Sequence, residues 1–148
     1  MENGDIPDEN INASSSTIRG ARHGRLNGPY PWSTAPLHPA GSEWIEADIG
    51  YPTYVSGVIT QGDGGNVEPD WVTSFNVSTF FTTGGTEAFV KDQDGDVVTF
   101  AGNVDVHTAV IATFPEPVNA RIVRITCLSM HREGGFYTLR FEILGCKK

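Results

Sequence analysis

The stretch Trp44-Ile45-Glu46-Ala47-Asp48-Ile49-Gly50 does most to limit what this chain can fold into. Ile45, Ala47 and Ile49 alternate with Glu46 and Asp48, the period of a strand with one dry and one wet face. Gly50-Tyr51-Pro52 interrupts it, and a second run rich in β-branched residues, Val55 to Gly62, follows at once. Two strands joined by a short break, with no helical spacing nearby, predict antiparallel β architecture.

The rest of the chain repeats the pattern. Trp71, Thr73, Phe75, Val77 and Phe81 are expected on one face of a strand, with Ser74, Asn76 and Ser78 on the other. Ala88–Val90 and Val97–Phe100 flank Asp92-Gln93-Asp94-Gly95-Asp96, whose Asp-Gly favours a hairpin turn. Val110–Phe114 reads as a strand stopped by Pro115-Glu116-Pro117, and two further strands have Val123, Ile125, Leu139, Phe141 and Ile143 as inward positions. About eight strands, with a turn signal every ~8–12 residues, mark a sandwich or barrel. Residues 1–148 amount to a single domain large enough to bury a core of its own.

With 10 basic against 18 acidic residues the net charge is −8, which argues against nucleic acid and disfavours electrostatic adhesion to anionic lipid. No apolar run approaches the ~20 residues of a membrane-spanning helix. Met1–Asp5 has no basic–apolar leader pattern, leaving a mature fragment, an excised domain and an intracellular protein open. Catalytic signatures are missing: there is no Gly-x-Ser-x-Gly elbow, phosphate loop or Cys–His pairing, and His23, His38, His107 and His131 lack metal-type spacing. Asp92–Asp96 lacks the glycine position and distal Glu of an EF-hand loop. Asn12-Ala13-Ser14 and Asn76-Val77-Ser78 are glycosylation sequons for a secreted chain, and Asn76 is expected on the accessible face of its strand. If the strand at Arg121–Cys127 pairs with Tyr137–Leu144 as a hairpin, Arg124 faces Glu142 and Ile125 faces Phe141. Cys127 then lies a strand's length from Cys146, too far for a disulfide.

Taken in order, Ala13-Ser14-Ser15, Arg25-Leu26-Asn27, Trp44 through Gly50, Thr60-Gln61-Gly62, Trp71-Val72-Thr73-Ser74, Phe100-Ala101-Gly102-Asn103, Ala120 through Ile125 and Leu139 through Cys146 resemble the discoidin domain family. This is the fold of the coagulation factor V and VIII C domains, and the resemblance spans nearly the whole chain. It implies an all-β, distorted jelly-roll or galactose-binding-like β-barrel, with hairpin loops at one end holding the ligand site. Family members are extracellular, non-catalytic binding modules for anionic phospholipid, galactose-type sugars, collagen or growth factors, so the fold leaves the ligand open. They usually tie a cysteine at the start of the domain to one at its end. Cys146 matches the end position, but with no counterpart upstream it is expected free in this chain.

On that frame, Arg19-Gly20-Ala21-Arg22-His23-Gly24-Arg25 is the first ligand-side loop, with Arg25-Leu26 a short strand behind it. A cationic, Gly-flanked loop suits a carboxylate, a sulfate or an acidic protein surface, because Arg binds oxyanions bidentately. The plainer reading is that Arg25 packs internally and its neighbours are solvated. Tyr30 and Trp32, set among prolines in the second loop, form a stiff aromatic ledge for a sugar face or protein contact, although Trp32 also matches a structural Trp of the family. Asp63, Asn66, Glu68 and Asp70 offer oxygen donors for a Ca²⁺ ion, at a spacing that fits no standard calcium loop. His131, Arg132 and Tyr137, at the connection between the last two strands, are expected to complete a mixed polar and aromatic pocket.

The expected function is lectin-like carbohydrate recognition outside the cell, as a domain of a larger secreted or membrane protein, with Arg19, Arg22, His23, Tyr30, Trp32, His131 and Arg132 as ligand-binding residues. The expected partner is a cell-surface or matrix glycan. The alternatives are an extracellular protein ligand and, disfavoured by ligand-side loops without apolar tips, anionic phospholipid.

Overall fold

Ile45 and Ala47 are wholly buried while Glu46 and Asp48 are only half-buried, so the alternation in this stretch sets one face of a strand against the core. The computed structural model describes residues 1–17, 19–65 and 69–146, with Cys146 alone described by its backbone only. Its eight strands are β1 (Ile11–Ala13), β2 (Trp32–Ser33), β3 (Trp44–Gln61), β4 (Val72–Phe80), β5 (Ala88–Phe89), β6 (Phe100–Ala101), β7 (Val110–Met130) and β8 (Thr138–Cys146). All pair antiparallel in the order β2-β8-β3-β7-β4-β5, with β1 on β3 and β6 on β4. Helix among the described residues is limited to the 3₁₀ turns Asp8–Asn10 and Ala21–His23. The all-β jelly roll expected from the sequence is what forms.

Two expected breaks are not breaks. β3 runs through Gly50-Tyr51-Pro52 and β7 through Pro115-Glu116-Pro117. The β3–β7 register slips between Asp48 and Thr53 and again between Val55 and Gly57. Ile49–Pro52 are thereby set opposite Arg121, and Phe114–Pro117 opposite Ser56. These bulges bend the paired strands from one layer of the barrel into the other. Trp44–Asp48 of β3 lies between β1 and the second half of β7, and Thr53–Gln61 between the first half of β7 and β8. Asp48 stabilises the bend, taking two bonds from Arg121 at 2.8 and 2.9 Å and one from the Gly50 N–H at 2.7 Å. The Arg121 bonds chiefly, with help from Gly50, hold its carboxyl below the usual range.

The expected hairpin between the last two strands is overturned, because β3 lies between β7 and β8. Arg124 faces Glu46 and Ser78 rather than Glu142, and Ile125 faces Ile45 and Val77 rather than Phe141. Cys127 is free and buried opposite Phe75, and burial pushes its thiol well above the ordinary range. The backbone of Cys146 pairs with Tyr54, and its thiol lies outside the described atoms.

Register slips of β4 against β7 at Val72/Ser74 and Ser74/Phe75 bury Val72 in place of Trp71, after which Phe75 and Val77 alternate inward as expected. Phe81 follows the strand and is 56% exposed. Asn76 is half-buried and its amide donates to the Val98 carbonyl at 2.8 Å, so the second sequon is engaged within the sheet. Asn12 lies exposed on β1. Between the layers, Ile45, Val55, Val58, Phe75, Ile125 and Phe141 form part of one continuous core, each side chain contributing roughly 1.5–3 kcal/mol on burial.

Candidate functional site

Because β3 and β7 fold over at their midpoints, both ends of each strand face one set of loops. These are residues 14–31, 34–43, 62–71, 102–109 and 131–137, and backbone hydrogen bonds knit them together. Thr34 N–H donates to Tyr137, Gly64 N–H to Val106, Asn103 N–H to Val72 and His131 N–H to Trp71, at 2.8–3.1 Å.

Arg140 ties this end together. It is 6% exposed and donates to the carbonyls of Gly28 and Gly62 at 2.8 Å and of Val106 at 3.2 Å, one from each of three loops. Burial pulls its pKa down and the nearby Asp63, itself 2% exposed, opposes that shift. Gln61 adds a second tie, accepting from Asn27 N–H at 2.9 Å and donating to the His107 carbonyl at 3.0 Å. The sequence reading missed both residues, placing them in strand motifs with no task. The available signal was a cation between two wholly apolar inward positions, Leu139 and Phe141, at the loop-proximal end of a strand.

On the first loop, the 3₁₀ turn Ala21–His23 sits between Gly20 and Gly24. Gly24 packs closely there, since a Cβ would stand 2.7 Å from the end of the buried Ile45 side chain and 3.3 Å from the Trp32 Cβ, so a neighbour would have to shift. The structure brings Arg19, His23 and Tyr30 together. The Arg19 guanidinium lies 4.1 Å over the Tyr30 ring, and His23 meets that ring edge-on at 6.0 Å. Tyr30 remains 41% exposed. Desolvation chiefly, then the charges of Arg22 and Arg19, push the His23 pKa below its usual value, which favours a neutral imidazole able to donate and accept. Arg22 is exposed on the turn. Arg25 follows the plainer reading: it bridges to Phe141 and donates to Met1 and Ile6 carbonyls and to Asp8, all within 2.7 Å.

Trp32 does not join that cluster. It is wholly buried, pairs with Leu139 in β2–β8 and donates its indole N–H to the Ser15 carbonyl at 2.8 Å. The aromatic ledge is therefore Tyr30 alone, and Trp32 is the core residue beneath it. His131 and Arg132 form a second cluster with the third loop. His131 stacks on Trp71 at 3.7 Å, and Arg132 pairs with Asp70 at 3.0 Å. Gly135 permits this, as any Cβ would stand 3.1 Å from the buried Asp70 carboxylate. Asp63 and Asp70 are thus turned inward beside Arg140 and Arg132, while Asn66 and Glu68 lie outside the described residues. Among the described residues, no three acidic, His or Cys side chains converge on a metal position.

The second loop corrects the expectation that the loop tips lack apolar groups. Leu37 is 80% exposed and holds a left-handed backbone, φ 68°, that costs a non-glycine residue about 1–2 kcal/mol. It is flanked by His38, which pairs at 2.9 Å with the buried Glu43, and Glu43 in turn accepts from the Ser14 and Ser15 hydroxyls. A groove of about 830 Å³ lies elsewhere, lined by Ile6, Ile49, Tyr51, Thr53 and Glu142 at the bend of β3, and it includes none of the loop residues above.

A bent antiparallel barrel with a polar and aromatic loop cluster at one end defines a jelly-roll domain. The chain belongs to the F5/8 type C (discoidin) domain family, whose sequence model matches residues 10–143. It is 35% identical to lactadherin of Rattus norvegicus over 158 aligned positions, covering 99% of this chain and 35% of that protein, so it spans about a third of that relative. Among solved structures it is similar to discoidin II of Dictyostelium discoideum, with a TM-score of 0.77 at 20% identity over 94% of this chain and 56% of that one. It is also similar to the family 32 carbohydrate-binding module of C. perfringens NanJ in complex with galactose, with a TM-score of 0.66 at 18% identity over 93% and 96% of the two chains.

Proposed function

We propose that this chain is an extracellular, non-catalytic recognition module that binds a galactose-type sugar through the first and second loops. The observation that carries this reading is the cluster of Arg19, His23 and Tyr30. It sets a half-exposed aromatic ring beside directional donors at the loop end of a rigid barrel. A sugar ring offers C–H faces to an aromatic side chain and hydroxyls to polar groups, which is the pairing this cluster supplies. The galactose complex of the structurally similar NanJ module supports the same ligand class. Calorimetric titration with galactose tests it. The wild-type chain binds, and Tyr30→Ala weakens binding at least about tenfold, the loss of ~1.4 kcal/mol, with the folded state intact because Tyr30 is half-exposed. Unchanged affinity in that variant would remove the site.

The second reading is engagement of an anionic phospholipid surface, and Leu37 is the observation that favours it. An apolar side chain held 80% exposed in a strained conformation suits insertion among lipid chains. Co-sedimentation with phosphatidylserine vesicles that is lost in Leu37→Ser, together with no sugar binding, would carry this reading instead.

A further inference from the structure

We infer that the sugar this loop end selects carries an oxyanion, a uronate carboxylate or a sulfate ester, and that Arg19 and Arg22 are the residues that read it. The inference rests on the sugar-binding reading above and narrows it. The chain has seven arginines among 18 acidic residues, and their partners divide them sharply. Arg25 is held by Asp8 and two carbonyls, Arg121 by Asp48, Arg124 by Glu46 and Glu87, Arg132 by Asp70, and Arg140 by three carbonyls. Among the described residues, Arg19 and Arg22 have no carboxylate or carbonyl partner, although acidic groups outnumber basic ones in the sequence. Arg22 does face the field of Asp8, but that carboxylate is already bonded to Arg25 at 2.6 Å.

Of these two free guanidinium groups, Arg19 precedes the 3₁₀ turn and stacks on Tyr30, while Arg22 lies within the turn three residues on, and both charges act on His23. Arg19 is pre-positioned, because its contact with Tyr30 holds the guanidinium over the ring while its N–H groups have no carboxylate or carbonyl partner among the described residues. Such a fork matches the two oxygens of a carboxylate or sulfate, while Tyr30 and His23 stand where the ring bearing that group would lie. Elsewhere the acidic chain repels an anion, so the charge preference is confined to this loop.

The test is parallel titration of the whole chain with galactose, galacturonic acid and 6-O-sulfogalactose at low and physiological salt, with phosphatidylserine vesicles as a separate arm. The expected result is that one or both acidic sugars bind at least about tenfold more tightly than galactose, a gap that narrows with salt. Arg22→Gln closes the gap at least fivefold, on the order of one lost charge-assisted bond. Lys91→Gln, which removes a positive charge at the far edge of the sheet, leaves it open. Equal binding of all three sugars overturns the inference while the sugar-binding reading stands. An acidic preference indifferent to Arg22→Gln overturns the assignment to this loop. Absence of any sugar binding overturns both, and vesicle binding that alone depends on Arg22 moves these arginines to a lipid headgroup.

Discussion

Arg140→Met lowers the melting temperature by about 10 °C and removes ligand binding, although residue 140 is buried and need touch no ligand. The substitution leaves the carbonyls of Gly28 and Gly62 without their guanidinium donor, leaves Val106 with the Gly64 N–H alone, and removes the positive charge that opposes the buried Asp63. A buried acceptor without a partner costs roughly 1–3 kcal/mol, and weakening the electrostatic support of a buried carboxylate adds to that. Against that, an apolar side chain avoids the desolvation of the guanidinium, so the net loss settles near 3 kcal/mol rather than at the sum. Binding suffers beyond stability, because the three carbonyls that Arg140 joins belong to three loops at the end that carries the candidate site. Arg140→Lys keeps the charge but not the fork, and falls between the two. Thermal unfolding checks this, and a melting point within 2 °C of the parent would mean that the loops hold themselves in place.

Trp32→Ala separates the core from the ledge above it. Removing a wholly buried indole destabilises the fold by about 3–5 kcal/mol, and the bond to the Ser15 carbonyl goes with it. Tyr30→Ala, two residues away and half-exposed, costs stability less than about 1 kcal/mol and acts on affinity instead. Urea denaturation of the two variants gives the comparison directly. A Trp32→Ala protein of near-normal stability that lost only its ligand would place the indole in the site after all.

How far the sequence foretold this depends on the range of the interaction concerned. The alternation in Trp44–Gly50, the inward series Val123, Ile125, Leu139 and Phe141, and the Asp-Gly turn at Gly95 were all legible, since each is a matter of local period or local φ. What period cannot give is the neighbour. It assigns Arg124 to a face but does not say that β3 will slide between β7 and β8 and set Glu46 opposite it. Nor does it reveal that Gly50-Tyr51-Pro52 and Pro115-Glu116-Pro117 are the bulges where paired strands turn a corner, because a bulge and a strand end share one composition. The candidate site was legible as a set of loops and only partly as side chains. Arg19, His23 and Tyr30 converge, whereas Trp32 turned inward, and the same aromatic residue suits either place until its backbone partner is known. Arg140 was hidden because a buried cation bound to carbonyls leaves no motif, only a geometry.

If the loop end grasps a sugar and the remaining barrel surface does not, backbone amide shifts during a galactose titration localise to it. The largest displacements are expected at Gly20, His23, Gly24 and Tyr30, with Asn3, Tyr51 and Ile143 of the distant groove unmoved. Shifts concentrated on Asn3, Tyr51 and Ile143, with the first loop silent, would contradict it.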